Sequence, residues 1–186
     1  MDRIYQCGAL NPESDAGYNA AAKLYDAFRH RETDYKNVAR NTGLSLEQCK
    51  IVKDYIFSNK HMLDEGYEQF FPDLTMAHSW QRLSESEGYY IKDVDLLLLD
   101  HELLEIRLLL TYRGLTVREA HNMAESVFDY SRAIRSMYGL RPISAPKKVH
   151  KELQGIQRQT SMQMVYKLRE KRKAEEALKK SNKRRK

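Results

Sequence analysis

Residues 96–110 read Leu96-Leu97-Leu98-Leu99-Asp100-His101-Glu102-Leu103-Leu104-Glu105-Ile106-Arg107-Leu108-Leu109-Leu110. The leucines point in nearly every direction of a helical wheel, which is typical of a helix surrounded by other helices. Three acids and a histidine nevertheless lie at its centre. Burying such groups is costly unless they are paired, hydrogen-bonded or metal-bound. The sequence therefore predicts a central helix whose polar groups have partners elsewhere in the chain.

N-capping patterns divide the rest of the chain into helices. Capping boxes, in which a Ser or Thr and a Gln or Glu three residues later satisfy each other's backbone amides, begin at Ser45 and Thr116. Asp34, Asp73 and Asp93 can each cap a further helix. We predict an all-α fold, a helical bundle of about five or six helices around the leucine-rich helix, followed by a basic C-terminal helical arm.

The segment after Thr116 and residues 58–72 differ from the other predicted helices. The helix that begins at Thr116 is predicted to continue through Ile134 and to pack antiparallel to the central helix, since the link between them is short. Residues 58–72 lack helical periodicity, carry several aromatic side chains and are predicted to be a loop held on the core. No segment shows a convincing strand pattern. The helix-turn-helix outline around Gly43 fits either packed bundle helices or a DNA-reading motif.

Charge divides the chain into an acidic body and a basic tail. Residues 146–186 contain 15 Lys and Arg against 4 Asp and Glu, a net charge of +11, although the whole chain carries only +6. We predict an irregular N-terminus over residues 1–15, a helical body over 16–141 and the basic arm over 142–186.

The arm indicates a polyanionic partner. A segment so rich in positive charge binds polyanions with an affinity that falls steeply as salt rises. We expect nucleic acid or another polyanion to bind residues 147–186, and a weak apolar stripe there is also compatible with a homo-oligomer formed through the C-terminal helix. The predicted nucleic-acid-binding residues are Lys167, Arg169, Lys171, Arg172, Lys173, Lys179, Lys180, Lys183, Arg184, Arg185 and Lys186.

Neither the cysteines nor the apolar segments indicate export or a membrane. Cys7 and Cys49 fit neither a disulfide framework nor a zinc motif. There is no secretory signal pattern and no uncharged run long enough to span a bilayer. We expect a cytoplasmic protein with no membrane partner, while delivery by a phage particle or by specialised secretion would leave no such mark.

Histidine and glutamate recur at helical spacing. His61, His101 and His121 are each followed by Glu four residues later, which on a helix places both groups on one face. Antiparallel packing would set His101 and Glu105 opposite His121 and Glu125. This mixture of imidazole and carboxylate groups suits a zinc, manganese or iron ion. The predicted metal ligands are His101, Glu105, His121 and Glu125, and the candidate catalytic residues are His61, His101, Glu102, Glu105 and His121.

A buried polar network explains the same spacing without chemistry. His–Glu pairs four residues apart also stabilise helices. The segment from His101 to Glu105 lacks the second histidine of the zinc-protease motif His-Glu-x-x-His, so it does not indicate a metalloprotease. Whether the cluster is an enzyme's active site or only a polar network stays open at this point.

Scattered motifs between Val38 and Tyr130 carry a resemblance to a known family. They read Ala39-x-x-x-Gly43-Leu44, Ile56-Phe57 with His61, Phe71-Pro72-Asp73, Ser79-Trp80-Gln81-Arg82-Leu83, Leu98-Leu99-x-His101-Glu102-Leu103-x-Glu105 and Glu119-Ala120-His121. This series resembles the small helical domain at the C-termini of some phage minor head proteins and bacterial polymorphic toxins. The recurrent polar positions that the resemblance implies are His61, Asp73, Trp80, Arg82, His101, Glu102, Glu105 and His121.

Two functions follow as expectations. The resemblance implies a phage- or toxin-associated effector domain, and with the histidine–carboxylate cluster this predicts a hydrolytic enzyme that acts on nucleic acid and uses the basic arm as an anchor. The alternative is a non-catalytic nucleic-acid-binding or assembly module that uses the same arm.

Overall fold

The computed structural model describes residues 10–85, 88–141, 170 and 173–174. Within these residues the chain forms seven helices and one short hairpin. In chain order they are α1 (Asp15–His30), α2 (Asp34–Thr42), α3 (Leu46–Phe57), β1 (His61–Leu63), β2 (Gly66–Glu68), α4 (Leu74–Ser84), α5 (Asp93–Thr111), α6 (Val117–Glu125) and α7 (Tyr130–Met137). The predicted mainly helical fold is confirmed, with one more helix than the upper estimate.

Helix α5 is the leucine-rich segment, and it lies at the centre of the fold. Leu96 and Leu99 pack into the main core with helices α1 to α4. Leu104 and Leu108 pack against α6, while Leu98 packs against α7. Because its leucines face three separate groups of neighbours, α5 is buried along most of its circumference, as its sequence predicts.

A buried ion pair fastens α2 to α3 and α4. Asp34 was predicted to cap α2, but Thr33 is the N-cap residue. The Asp34 carboxylate instead accepts hydrogen bonds from Lys53 Nζ at 2.7 Å and from Trp80 Nε1 at 3.0 Å. The indole N–H that the core encloses is thereby satisfied.

A second buried ion pair joins α4 to the start of α5. The predicted cap Asp93 is the first helical residue, and Lys92 occupies the N-cap position. The fully buried Asp95 accepts from the backbone N–H of Lys92 at 2.9 Å and from both Arg82 Nε and a terminal Arg82 nitrogen, at 2.9 and 2.6 Å. Bidentate pairing with Arg82 compensates the burial of this carboxylate.

The prediction that residues 58–72 contain no strand is wrong. β1 and β2 pair antiparallel, with His61 opposite Glu68, Met62 opposite Tyr67 and Leu63 opposite Gly66. Each strand has only three residues, too few to display the alternation that identifies a strand in sequence. β1 packs against α6.

The prediction of one continuous helix from Thr116 to Ile134 is also wrong. α6 ends at Glu125, and a turn separates it from α7. Asp129 caps α7, since its Oδ1 accepts from the backbone N–H of Arg132 at 3.1 Å. This break accounts for the additional helix, and it places the Phe128 backbone beside α5.

The predicted arm lies almost wholly outside the described residues. Of the predicted nucleic-acid-binding residues only Lys173 is described, and its Nζ forms an exposed ion pair with Glu170 at 2.9 Å. The irregular segment predicted over residues 1–15 is described only from Leu10 onward. Among the described helices, none is long and apolar enough to cross a membrane.

Candidate metal centre

The site is built where α6 lies against the middle of α5. Ala120 and Ala124 are fully buried on α6 and pack with Leu104 and Leu108 of α5. Such small side chains let two helices approach closely. The capping box predicted at Thr116 is present and fixes where α6 begins. His121 is consequently held against the polar centre of α5.

Three potential ligand atoms from these helices form a nearly equilateral triangle. His101 Nε2 lies 3.2 Å from His121 Nδ1 and 3.3 Å from Glu105 Oε2. His121 Nδ1 lies 3.1 Å from the same Glu105 oxygen. Zinc ligands bind at about 2.0–2.2 Å in tetrahedral geometry, which separates neighbouring ligand atoms by roughly 3.3 Å. The triangle therefore has the dimensions of one face of a zinc coordination tetrahedron.

Outer partners hold two of the ligands in place. Nδ1 of His101 donates a hydrogen bond to the backbone carbonyl of Phe128 at 2.9 Å, an assignment that leaves Nε2 to face the triangle. The hydroxyl of Tyr55 donates to Glu105 Oε1 at 2.6 Å, which leaves Oε2 for the triangle. Hydrogen bonds of this kind orient ligands and tune their basicity in metal sites.

The ionisation of the triangle is strongly coupled. Burial alone would lower the pKa of His101, but its hydrogen bond to Glu105 and the negative charge of Glu102 outweigh burial and raise that pKa to about 9. The hydrogen bond to Glu105 also raises the pKa of His121. Burial would raise the pKa of Glu105, yet hydrogen bonds from His101, His121 and Tyr55 lower it to about 2. The negative charge of Glu105 is therefore balanced either by protons on the two histidines or by a bound cation.

Glu102 follows His101 on α5 but stays out of the triangle. Its side chain is nearly buried, at 5% exposure. Burial, and after it the negative charge of Glu105, raises the pKa of Glu102 to about 8. It lines both of the cavities that adjoin the cluster.

The larger cavity has a volume of about 430 Å³ and opens in front of Glu102, Glu105 and His121. The smaller one, of about 260 Å³, lies on the side of His101 and α7. Four residues line both cavities: Asp73, Met76, Glu102 and His121. The cluster thus lies between two spaces of ligand size rather than in a closed core.

Glu125 was predicted as a fourth metal ligand, and the structure places it elsewhere. Its Oε2 lies 3.3 Å from Nδ1 of His101, but the hydrogen on that nitrogen points to Phe128. Oε2 accepts no hydrogen bond from the described residues. Glu125 therefore lies behind His101, on the side away from the triangle, where its charge acts on the imidazole.

His61 was predicted as a catalytic residue, and it too lies outside the triangle. It is in β1, where its Nε2 contacts the backbone carbonyl of Tyr55 at 2.8 Å and its ring stacks on Phe70 with centroids 4.1 Å apart. A spacing of four residues places two groups on one face only in a helix. In the hairpin, Glu65 falls in the exposed turn instead.

Comparisons with protein-family models, with curated proteins and with solved structures found no match for this chain. The resemblance to the helical domain of phage minor head proteins and bacterial toxins stays a prediction.

Sequence reasoning missed several groups of the site. Tyr55 bonds to Glu105, 50 positions away, and no local pattern in the sequence predicts this contact. The carbonyl of Phe128 has no signature in the sequence. One signal was available, since Asp is a favoured N-cap residue and Asp129 could have indicated the start of a new helix.

Proposed function

We propose that this protein is a metal-dependent hydrolase, in which His101, Glu105 and His121 hold one divalent cation and Glu102 is the general base. The observation that carries this proposal is the triangle of ligand atoms with sides of 3.1–3.3 Å. Its donor set of two imidazoles and one carboxylate matches that of known catalytic zinc sites.

The order of residues along α5 supports the role of Glu102. Ligands at positions i and i+4 with a base at i+1 are the arrangement of the His-Glu-x-x-His helix. Here Glu105 occupies the second ligand position and His121 supplies the third ligand from another helix. The missing second histidine, which argues against that motif in the sequence, is consistent with a carboxylate ligand in its place.

A bound cation would polarise a substrate carbonyl and make water a stronger nucleophile. Glu102 accepts the proton of the attacking water as its oxygen bonds to the carbonyl carbon. The bond from that carbon to the leaving nitrogen or oxygen then breaks, and Glu102 returns the proton to the leaving group. General acid–base transfer of this type contributes about 10²–10⁴-fold to a rate.

Calorimetric titration of the full chain with zinc after treatment with a chelator tests the proposal. We expect one bound ion per chain, and loss of that binding in His101→Ala and His121→Ala. His30→Ala is the matched control, because His30 is an exposed helical histidine whose Nδ1 bonds to Asp26 on its own helix. Unchanged zinc binding in both cluster variants, or no binding by the wild type, would contradict the metal site.

A second candidate function is nucleic-acid binding through the arm, with or without catalysis. The observation that favours it is the net charge of +11 on residues 146–186. Fluorescence anisotropy with labelled single-stranded DNA and RNA at low salt would measure this binding. Deletion of residues 147–186 is expected to abolish it, and unchanged binding after the deletion would remove the role proposed for the arm.

A further inference from the structure

We infer that the larger cavity binds a large apolar side chain of an extended peptide whose backbone pairs with β1, so that the cluster hydrolyses a peptide amide. This inference rests on the proposed hydrolase function and specifies its substrate. It differs from the nucleic-acid substrate predicted from the sequence.

The walls of the larger cavity are the first argument. Facing the cluster are apolar side chains from three parts of the fold: the hairpin and the segment after it, the helices α3 and α4, and the start of α6. They are Met62, Leu63, Phe70, Phe71, Ile56, Met76 and Val117. Contact with such walls is favourable for an apolar side chain and unfavourable for a phosphodiester backbone.

The charged residues that line the larger cavity also favour a peptide over a nucleic acid. The same cavity is lined by five acids, namely Asp64, Glu65, Asp73, Glu102 and Glu105. Its one Arg or Lys is Arg118, which is already paired with Asp64 at 2.9 Å. With Asp64 paired and Glu102 protonated, the carboxylates of Glu65, Asp73 and Glu105 remain, and a single divalent cation would offset only part of their charge. The cavity therefore repels a polyanion and favours a neutral or basic peptide.

The hairpin supplies the third argument. Only β1 and β2 pair in the described sheet, and no further backbone hydrogen bond joins residues 61–68 to the described chain. In an antiparallel pair every second residue turns its N–H and C=O away from its partner strand. Met62, at the middle of the three residues of β1, is 69% exposed, so an extended peptide can reach this edge and add as a strand.

The position of this edge agrees with hydrolysis at the cluster. Met62 and Leu63 of β1 line the larger cavity together with Glu102 and His121. A peptide paired with β1 would pass in front of these two residues. The smaller cavity continues beyond them, and it gives room for the chain on the other side of the cleaved bond.

Binding of two small probes to the zinc-loaded full chain tests the apolar pocket directly. N-acetyl-phenylalanine hydroxamate and N-acetyl-glycine hydroxamate both chelate a metal ion, but only the first carries an apolar side chain. We expect the phenylalanine compound to bind about tenfold or more tightly, as one apolar group in a pocket can discriminate by that factor. Equal affinities would overturn the inference while leaving the metal site intact.

Variants of the cavity wall make this test specific. Val117→Asp places a charge in the cavity, and an acid is well tolerated in the first turn of α6. Phe71→Ser removes an exposed aromatic group from the wall. Both are expected to abolish the preference for the phenylalanine compound over the glycine compound. Tyr90→Ser is the matched control, since Tyr90 is 68% exposed against 66% for Phe71 and lies outside the cavity.

Hydrolysis assays distinguish a peptide substrate from a nucleic-acid substrate. Two fluorescence-quenched peptides that differ only by Phe or Asp at one position would be compared with single-stranded DNA and RNA. We expect cleavage next to Phe, at a rate about tenfold or more above that of the Asp peptide. Cleavage of the nucleic acids alone, or equal rates for both peptides, would overturn the inference. Absence of zinc binding would instead defeat the proposed function on which it rests.

Discussion

Nδ1 of His101 donates a hydrogen bond of 2.9 Å to the backbone carbonyl of Phe128, 27 residues further along the chain. This carbonyl lies at the turn between α6 and α7, where it also accepts from the backbone N–H of Tyr130 at 2.8 Å. In a continuous helix the carbonyl would accept from an amide four residues later. The break in the helix is therefore part of the site, since it orients the imidazole whose other nitrogen faces the triangle.

Removal of the cap of α7 should weaken the site from a distance. Asp129→Ala deletes the acceptor for the backbone N–H of Arg132 and should cost about 1 kcal/mol of stability. Because Phe128 is the preceding residue, we also expect zinc affinity to fall by about tenfold. Denaturant unfolding and calorimetry would measure the two effects.

Ser14→Ala is the control for that variant. Ser14 caps α1 by accepting from the N–H of Gly17 at 3.1 Å, far along the chain from the triangle. The Ser14→Ala variant should lose about as much stability as Asp129→Ala, with no change in zinc affinity. If both cap variants bind zinc as the wild type does, the Phe128 carbonyl does not orient His101 in the way described.

Tyr55→Phe should weaken zinc binding without disturbing the packing of α3. The substitution removes the hydrogen bond of 2.6 Å to Glu105 but keeps the ring that packs against His61 and Phe70. Loss of an outer-shell partner typically reduces metal affinity about 10–100-fold. Tyr138→Phe, which removes a hydroxyl bonded to His78 at 2.8 Å, should leave the affinity unchanged. Equal effects of the two variants would contradict the positioning role of Tyr55.

Much of the framework could be predicted because it depends on local patterns. The all-round leucines of α5 predict its central position, and the capping boxes at Ser45 and Thr116 are both present. The approach of His101 and Glu105 to His121 follows from helical spacing and antiparallel packing. These properties depend only on residues close together in the sequence and on the antiparallel packing of two helices joined by a short link.

The remaining features depend on contacts between distant residues. Short strands carry too little pattern to identify β1, and without β1 neither the cavity nor the position of His61 could be foreseen. The placement of Glu125 depends on which side of His101 faces α6, and helical spacing alone does not decide this. The caps predicted at Asp34 and Asp93 were wrong for the same reason, because the buried ion pairs of Asp34 and Asp95 join residues that are distant in sequence.

Stability of the metal-free protein should fall as pH rises from about 6.5 to about 9. The pKa of His101 is raised to about 9, so its contribution is complete below the ordinary value near 6.5 and is lost as pH approaches 9. A shift of this size corresponds to roughly 3 kcal/mol. Glu102, with a pKa raised to about 8, acts in the same direction, because its buried protonated form is lost as pH rises.

Thermal melting in the presence of a chelator would measure this decline. His101→Asn should make the decline smaller, since that side chain does not titrate. Excess zinc should oppose it, because metal ligands bind better as they lose their protons. A melting temperature of the chelated wild type that stays constant or rises over the same pH range would contradict the assignment.

Glu102→Gln should separate catalysis from metal binding. Glu102 is outside the triangle of ligand atoms, so the amide should leave zinc affinity within a few-fold of the wild-type value. An amide cannot accept and return the proton of water, and hydrolysis should therefore fall by about 10²–10⁴-fold. Glu105→Gln should instead lose zinc, whereas Glu68→Gln, at an exposed position of β2, should change neither property. Calorimetry and rates with the quenched phenylalanine peptide would measure both properties. Retention of full hydrolytic activity by Glu102→Gln would assign the general base to another residue.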